Sequence, residues 1–219
     1  MSEPTTQPND LPGGSRWRLW VDGCGGFLLL VGNEFSLGRA GTRKHLLPHS
    51  DVDSTVDIGV HADWPRKAGT IYRQAGDYFW EAEPSGRAKS ADAETDRVVK
   101  GGGGVARTLI SDGKLLGIDG SASVKLAKPS PLSTTAVLSV APPHRFDGHV
   151  DAVVLVDRTV VMGAGRDCHL RHRDASQMVV LVYRPSGWVG KVGLDGEWLE
   201  LRAGRPTSMG SITMTLESA

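Results

Sequence analysis

The chain has 219 residues, of which 39% are hydrophobic and 23% charged, and Lys+Arg balance Asp+Glu at 25 each. This is the composition of a globular protein of one or two domains. Zero net charge excludes the global positive field of a nucleic-acid binder, and no apolar run approaches the length of a membrane-spanning helix. With 28 Gly and 12 Pro, turns must be frequent. The two cysteines, Cys24 and Cys168, are too few for a disulfide framework. They read as two buried thiols in a reducing compartment, with a single bridge as the alternative.

Residues 1–15 hold almost no apolar side chains and no basic segment, so they read as a short disordered tail and not a signal peptide. A bacterial, cytoplasmic protein is the expectation. From Trp17 the apolar spacing is strand-like. Trp17-Leu19-Val21 alternates, and Phe27 to Val31 is a strand-sized apolar run. Ile71-Tyr72, Tyr78 to Trp80 and Val124-Leu126 continue the pattern. Val153 to Val156 and Met178 to Tyr183 are β-branched, short and bounded by charge, which predicts central strands buried on both faces. Ile212, Met214 and Leu216 alternate with Thr213, Thr215 and Glu217, a half-buried strand.

Gly-containing turns separate these runs at short intervals, among them Asp22-Gly23, Gly32-Asn33, Asp112-Gly113 and Ser186-Gly187. No amphipathic helix of three turns is present in the pattern. The prediction is all-β, an antiparallel β-sandwich. Two polar excursions, Ala40 to Thr55 and Pro84 to Gly104, read as exposed loops. A rigid step at Pro142-Pro143 divides the chain into 16–142 and a smaller unit at 147–219.

The two halves repeat one another in order and element type. Glu34 to Arg39, Val56 to Val60 and Trp64 to Ile71 in the first match Thr159 to Arg166, Asp167 to Leu170 and Ala175 to Val179 in the second. Val99-Lys100-Gly101 matches Leu194-Asp195-Gly196, and each half closes on an alternating strand. A strand ending in Gly-Arg, then Asp-Ile before a turn, then a Ser-Arg-x-His-like step and an Asn-Gly-like turn resembles the forkhead-associated (FHA) domain family. The resemblance covers about residues 17 to 142 once and 147 to 217 again. It implies an FHA-like β-sandwich, with a second, smaller FHA-like unit packed against it, that binds phosphothreonine peptides through loops at one end. In that family the phosphate contacts come chiefly from the Arg of Gly-Arg and the Ser of Ser-x-x-His, while the His holds the loop in shape.

Residue by residue, the first half keeps Gly38-Arg39 but has Pro65 at the Ser position, Arg66 at the basic residue after it, and Ala68 for the His. Proline removes both a hydroxyl and a backbone N–H that an anion would use. Lys100 stands where the family has Asn. The second half keeps Gly165-Arg166 and a candidate Ser176, and loses the His to Val179. Residue chemistry therefore favours the second half, because a planar guanidinium and a hydroxyl together suit a phosphate. Arg39 reads either as a phosphate contact or as a tie between loops. Arg166 with Ser176 reads as a ligand contact or as a solvated Arg beside a turn Ser.

Other chemistry is thinner. Cys168-His169-Leu-Arg-His172 lacks the second cluster a zinc site needs, and reads as a buried Cys with solvent-facing His. No nucleophile elbow exists, and Gly101 to Gly104 is not followed by Lys-Ser/Thr, so it is no P-loop. Trp64, Trp188 and Trp198 are either core or a partner-facing platform, with core favoured for two of them. The expected function is a non-enzymatic protein–protein interaction module, a signalling adaptor with no cofactor or metal. It would bind a protein or phosphothreonine peptide, and neither nucleic acid nor membrane. The alternative is an accessory β-sandwich that binds carbohydrate or another non-phosphorylated ligand.

Overall fold

The computed structural model describes residues 15–41, 56–83, 98–99, 107–117 and 121–219. Most of the two predicted loop excursions, nearly all of the N-terminal tail and Lys100 lie outside them. Within them the only helical element is a three-residue 3-10 turn, Asp147–His149. The rest is strand and turn, as the periodicity predicts.

The first strands are β1 (Ser15–Val21), β2 (Gly25–Val31), β3 (Glu34–Arg39), β4 (Ile58–Val60), β5 (Gly69–Gln74) and β6 (Asp77–Ala82). Next come β7 (Val98–Val99), β8 (Arg107–Ile110), β9 (Leu115–Gly117), β10 (Ser123–Ala127) and β11 (Ala136–Val140). The chain continues with β12 (Ala152–Val156), β13 (Thr159–Gly163), β14 (Leu170–Arg171) and β15 (Val179–Arg184). It ends with β16 (Gly187–Val192), β17 (Leu199–Glu200), β18 (Pro206–Met209) and β19 (Ile212–Ser218). Ser15, read as the end of the tail, opens β1 opposite Val31.

An eight-stranded sheet, ordered β18-β19-β1-β2-β12-β11-β10-β9, runs through the middle. A six-stranded sheet, β4-β3-β5-β6-β8-β7, and a five-stranded sheet, β14-β13-β15-β16-β17, complete the architecture. Two separate cores show that these pack on opposite faces of the central sheet. Because strand side chains alternate, β2 sends Leu28 and Leu30 into one core and Phe27, Leu29 and Val31 into the other. β12 divides in the same way, with Val153 and Leu155 on one side and Ala152, Val154 and Val156 on the other. Unbroken apolar runs are needed here because neither face of these strands meets water. β2 and β12 pair in parallel, Phe27 opposite Ala152 through Val31 opposite Val156, and the other neighbours in this sheet are antiparallel.

Met178 to Tyr183 departs from expectation. In β15, Val179 and Leu181 are buried but Val180 and Val182 are only half-buried. Its sheet has a core on one side alone, so β-branched residues there line an outer face instead of a second core.

The repeat is visible in the pairing. β3 runs parallel to β4 and antiparallel to β5, and β13 runs parallel to β14 and antiparallel to β15. β11 lies between β10 and β12 as β1 lies between β19 and β2, so by pairing the second half opens at β11. The Pro142-Pro143 step therefore does not separate two units, because it lies in the connection between β11 and β12, neighbours in one sheet. The hairpins are exchanged between the halves. β1–β2 contributes Leu19, Val21, Phe27, Leu29 and Val31 to the core under the second half's sheet, and β11–β12 contributes Ala136, Leu138, Val153 and Leu155 to the core under the first's.

At the end where β2 turns into β3 and β12 into β13, one side chain ties both corners. Arg73 donates to the Gly32 carbonyl at 2.7 Å and to Asn33 Oδ1, and pairs with Asp157 Oδ1 at 3.4 Å. Leu29 and Leu155, fully buried in different cores, gauge the packing. Leu29→Ala and Leu155→Ala should each cost about 2–5 kcal/mol in chemical denaturation, the cost of truncating a core Leu.

Candidate functional site

Parallel pairing of β2 and β12 has a geometric consequence at the other end of the sheets. Each strand turns through a two-residue corner into β3 or β13, which run back, so the far ends of β3 and β13 emerge on the same side. There Arg39 and the 61–68 loop of the first half meet the 3-10 turn of the second. The Arg39 N–H donates to the Pro65 carbonyl at 2.9 Å, Val60 bridges to Phe146, and His61 pairs with Asp147 at 3.5 Å. The second half places the 164–169, 172–178 and 193–198 loops and the β18–β19 turn, which lie beside the β1–β2 turn of the first. His172 Nε2 donates to the Asp22 carbonyl at 2.9 Å, and the Gly193 N–H to the Met178 carbonyl at 2.7 Å. At the same end the β1–β2 hairpin and the approach to β12 form a shallow, open cleft of about 610 Å³, lined by residues 20–26, His149 and Asp151.

Gly38 explains how the first half's strand end is set. A β-carbon there would collide with the carbonyl of Arg66, so only glycine lets β3 lie against the 65–66 backbone. Arg39 and Arg66 thus share one rim. Both are exposed, and neither guanidinium has a partner among the described residues. Lys67 is occupied by Glu83 at 3.3 Å.

In the second half the structure separates what the sequence had grouped. Leu37 and Met162 hold equivalent register positions, opposite Gly69 and Val179, so the counterpart of Gly38 is Gly163 and that of Arg39 is Ala164. Arg166 sits two residues further on, exposed in the turn after β13. The same register puts Ser176 opposite Arg66 in the repeat, and Met178, not Val179, at the Ala68 position. Ser176 makes no hydrogen bond to Arg166. Its N–H and hydroxyl both go to Ser211 Oγ, at 3.1 and 3.3 Å. Sequence reasoning missed Ser211. Which loop Ser211 meets depends on β18–β19 folding back beside β1. Lys100 lies outside the described residues.

The Cys168–His172 segment corrects another expectation. Both imidazoles are buried, His169 being 5% and His172 6% exposed, because β14 is too short for the alternation assumed. His169 Nδ1 accepts the Val161 N–H at 2.9 Å, and burial pushes its pKa down to about 4. Among the described residues no cluster of His, Cys, Asp or Glu has metal-site geometry. Both cysteines are free, and Cys24 is only half-buried, with its thiol directed at the Arg171 carbonyl at 3.5 Å. Trp64 and Trp188 belong to the cores, while Trp198 is exposed with Arg184 and Lys191 over its ring.

Compared with protein-family models, curated protein sequences and solved structures, the chain matches none. The site therefore rests on its own geometry.

Two outcomes test it. Gly38→Ala should destabilise the fold by roughly 1–3 kcal/mol in urea titration, because backbone must move to admit the methyl. His169 is neutral when folded down to about pH 4 but titrates near 6.5 when unfolded. The unfolded state therefore takes up the proton first as pH falls, and this contribution is full above about 6.5 and lost towards 4. Urea midpoints should fall across that window, and more shallowly in His169→Gln, whose amide oxygen can still accept the Val161 N–H.

Proposed function

We propose that the protein is a non-enzymatic protein–protein interaction module that holds its partner on the common loop end of the two halves. The observation that carries this is the placement, on both flanks of one end, of guanidinium groups with no partner among the described residues, Arg39 and Arg66 on one side, Arg166 and Arg173 on the other. Loops set on a rigid sheet frame are where binding groups are ordinarily displayed. An anionic group on the partner, a phosphothreonine in keeping with the FHA resemblance, is the natural complement, since each guanidinium can offer two parallel charge-assisted hydrogen bonds.

Geometry reorders the two halves as anion sites. Arg39 and Arg66 share one rim with free side chains, whereas the Ser176 hydroxyl is tied to Ser211 and Arg166 stands apart from it. The phosphate contact is therefore assigned to Arg39 with Arg66, and Arg166 to a flanking acidic residue of the same peptide.

Fluorescence polarisation with an oriented phosphothreonine peptide library and unphosphorylated controls tests this. Binding should require the phosphate and weaken about tenfold in Arg39→Ala, the loss of one strong charge-assisted contact. Arg166→Ala should have a smaller effect. Phosphate-independent binding, or phosphate-dependent binding lost in Arg166→Ala and kept in Arg39→Ala, would contradict the assignment.

A further inference from the structure

The cleft formed by the β1–β2 hairpin and the approach to β12 is acidic and aromatic. Its lining contains the carboxylates of Asp22 and Asp151, the ring of Trp20, the Cys24 thiol and His149, and no Lys or Arg. The Asp22 carboxylate makes no hydrogen bond or ion pair among the described residues, although its carbonyl holds His172. Asp151 Oδ2 accepts the Gly26 N–H at 2.9 Å, which fixes the carboxylate and leaves its other oxygen unpartnered.

Trp20 forms an aromatic wall. Its ring lies across Gly26, where a β-carbon would strike it, and its indole N–H donates to Glu217 Oε2 at 2.8 Å. What remains for a ligand is the outer π-face. Two other surface rings, Tyr72 and Trp198, are already covered by the chain's own cations. Arg107 stands 3.7 Å from the Tyr72 ring centre, and Trp198 carries Arg184 at 4.7 Å and Lys191 at 5.1 Å. Trp20 carries none, and Arg18, two residues earlier on the same strand face, has its guanidinium against Gly148 instead.

We propose that this cleft binds the guanidinium or ammonium group of a basic side chain on a polypeptide partner, stacked on Trp20 between Asp22 and Asp151. A cation over an indole face is attracted by the ring quadrupole, and the carboxylates supply the counter-charge and hydrogen-bond acceptors. The negative field is felt inside the cleft, because the Cys24 thiol is held above its usual pKa by burial and then by the charge of Asp151. The proposal rests on the interaction-module reading for the source of the side chain. It makes the preferred segment one that carries a basic residue, matching the carboxylates of the cleft.

The test follows the Trp20 indole N–H by NMR, assigned through Trp20→Phe, in the full chain. The probes are N-acetyl-arginine methylamide, its lysine counterpart and, as neutral control, N-acetyl-norleucine methylamide. The expected result is a saturable shift with arginine and lysine, none with norleucine, and affinity about two- to fivefold weaker in Asp22→Asn, the usual worth of an exposed charge pair. No saturable shift, an equal response to norleucine, or indifference to Asp22→Asn would overturn the proposal. The phosphopeptide assay reads independently. Phosphopeptide binding without a response to arginine removes the cleft assignment and keeps the module, and the converse keeps the cleft and removes the phosphate reading.

Discussion

The parallel pairing of β2 with β12 is the constraint on which the rest of the structure depends. Two strands side by side, each apolar on consecutive residues, can be buried only if something covers both faces of the sheet they form. The six-stranded and five-stranded sheets provide that cover, one on each face. Moving either strand by one residue would exchange its two side-chain sets between the cores, so the register is held from both sides. The same pairing fixes polarity. Because β2 and β12 run the same way, the two repeats present their equivalent loops on one side of the molecule.

That arrangement brings the loop ends of both halves to one side. Neither half has an Arg and a Ser at equivalent register positions. The open cleft on that side draws on both halves. Its walls come from the β1–β2 turn of the first half and the approach to β12 in the second, with the Asp151–Gly26 hydrogen bonds joining them. The exchanged hairpins are what bring these segments together, so the proposed binding surface exists only in the assembled pair.

Much of the fold was legible in the sequence because strand periodicity is local. Phe27 to Val31 announces a strand, Val153 to Val156 double burial, and Ile212 to Glu217 a single buried face. What was not legible is which strands meet. The apolar run in β15 looks like that in β12, and only the absence of a second covering sheet leaves Val180 and Val182 on an outer face. The Pro142-Pro143 step looked like a boundary because prolines interrupt strands, yet whether strands on either side then pair is a long-range matter. The position of Gly38-Arg39 at a strand end was legible because the motif is contiguous. The register of Arg166 and Ser176 was not, because a two-residue shift in a loop leaves the spacing plausible while moving the side chain off the strand end. The Trp20 cleft carried no sequence signal, since its parts come from turns brought together by β-pairing more than 120 residues apart in the chain.

Because both cores share β2 and β12, neither sandwich should survive the loss of the other. The most direct measurement follows unfolding separately at Trp64, buried in the first core, and Trp188, buried in the second, by fluorine NMR of fluorotryptophan-labelled protein in urea. Single Trp64→Phe and Trp188→Phe variants supply the assignments. The shared-sheet account predicts coincident midpoints and equal urea dependence at both sites. Two separated transitions, with one tryptophan native while the other is unfolded, would mean that the halves fold as independent units and that the common surface is not enforced by the sheet.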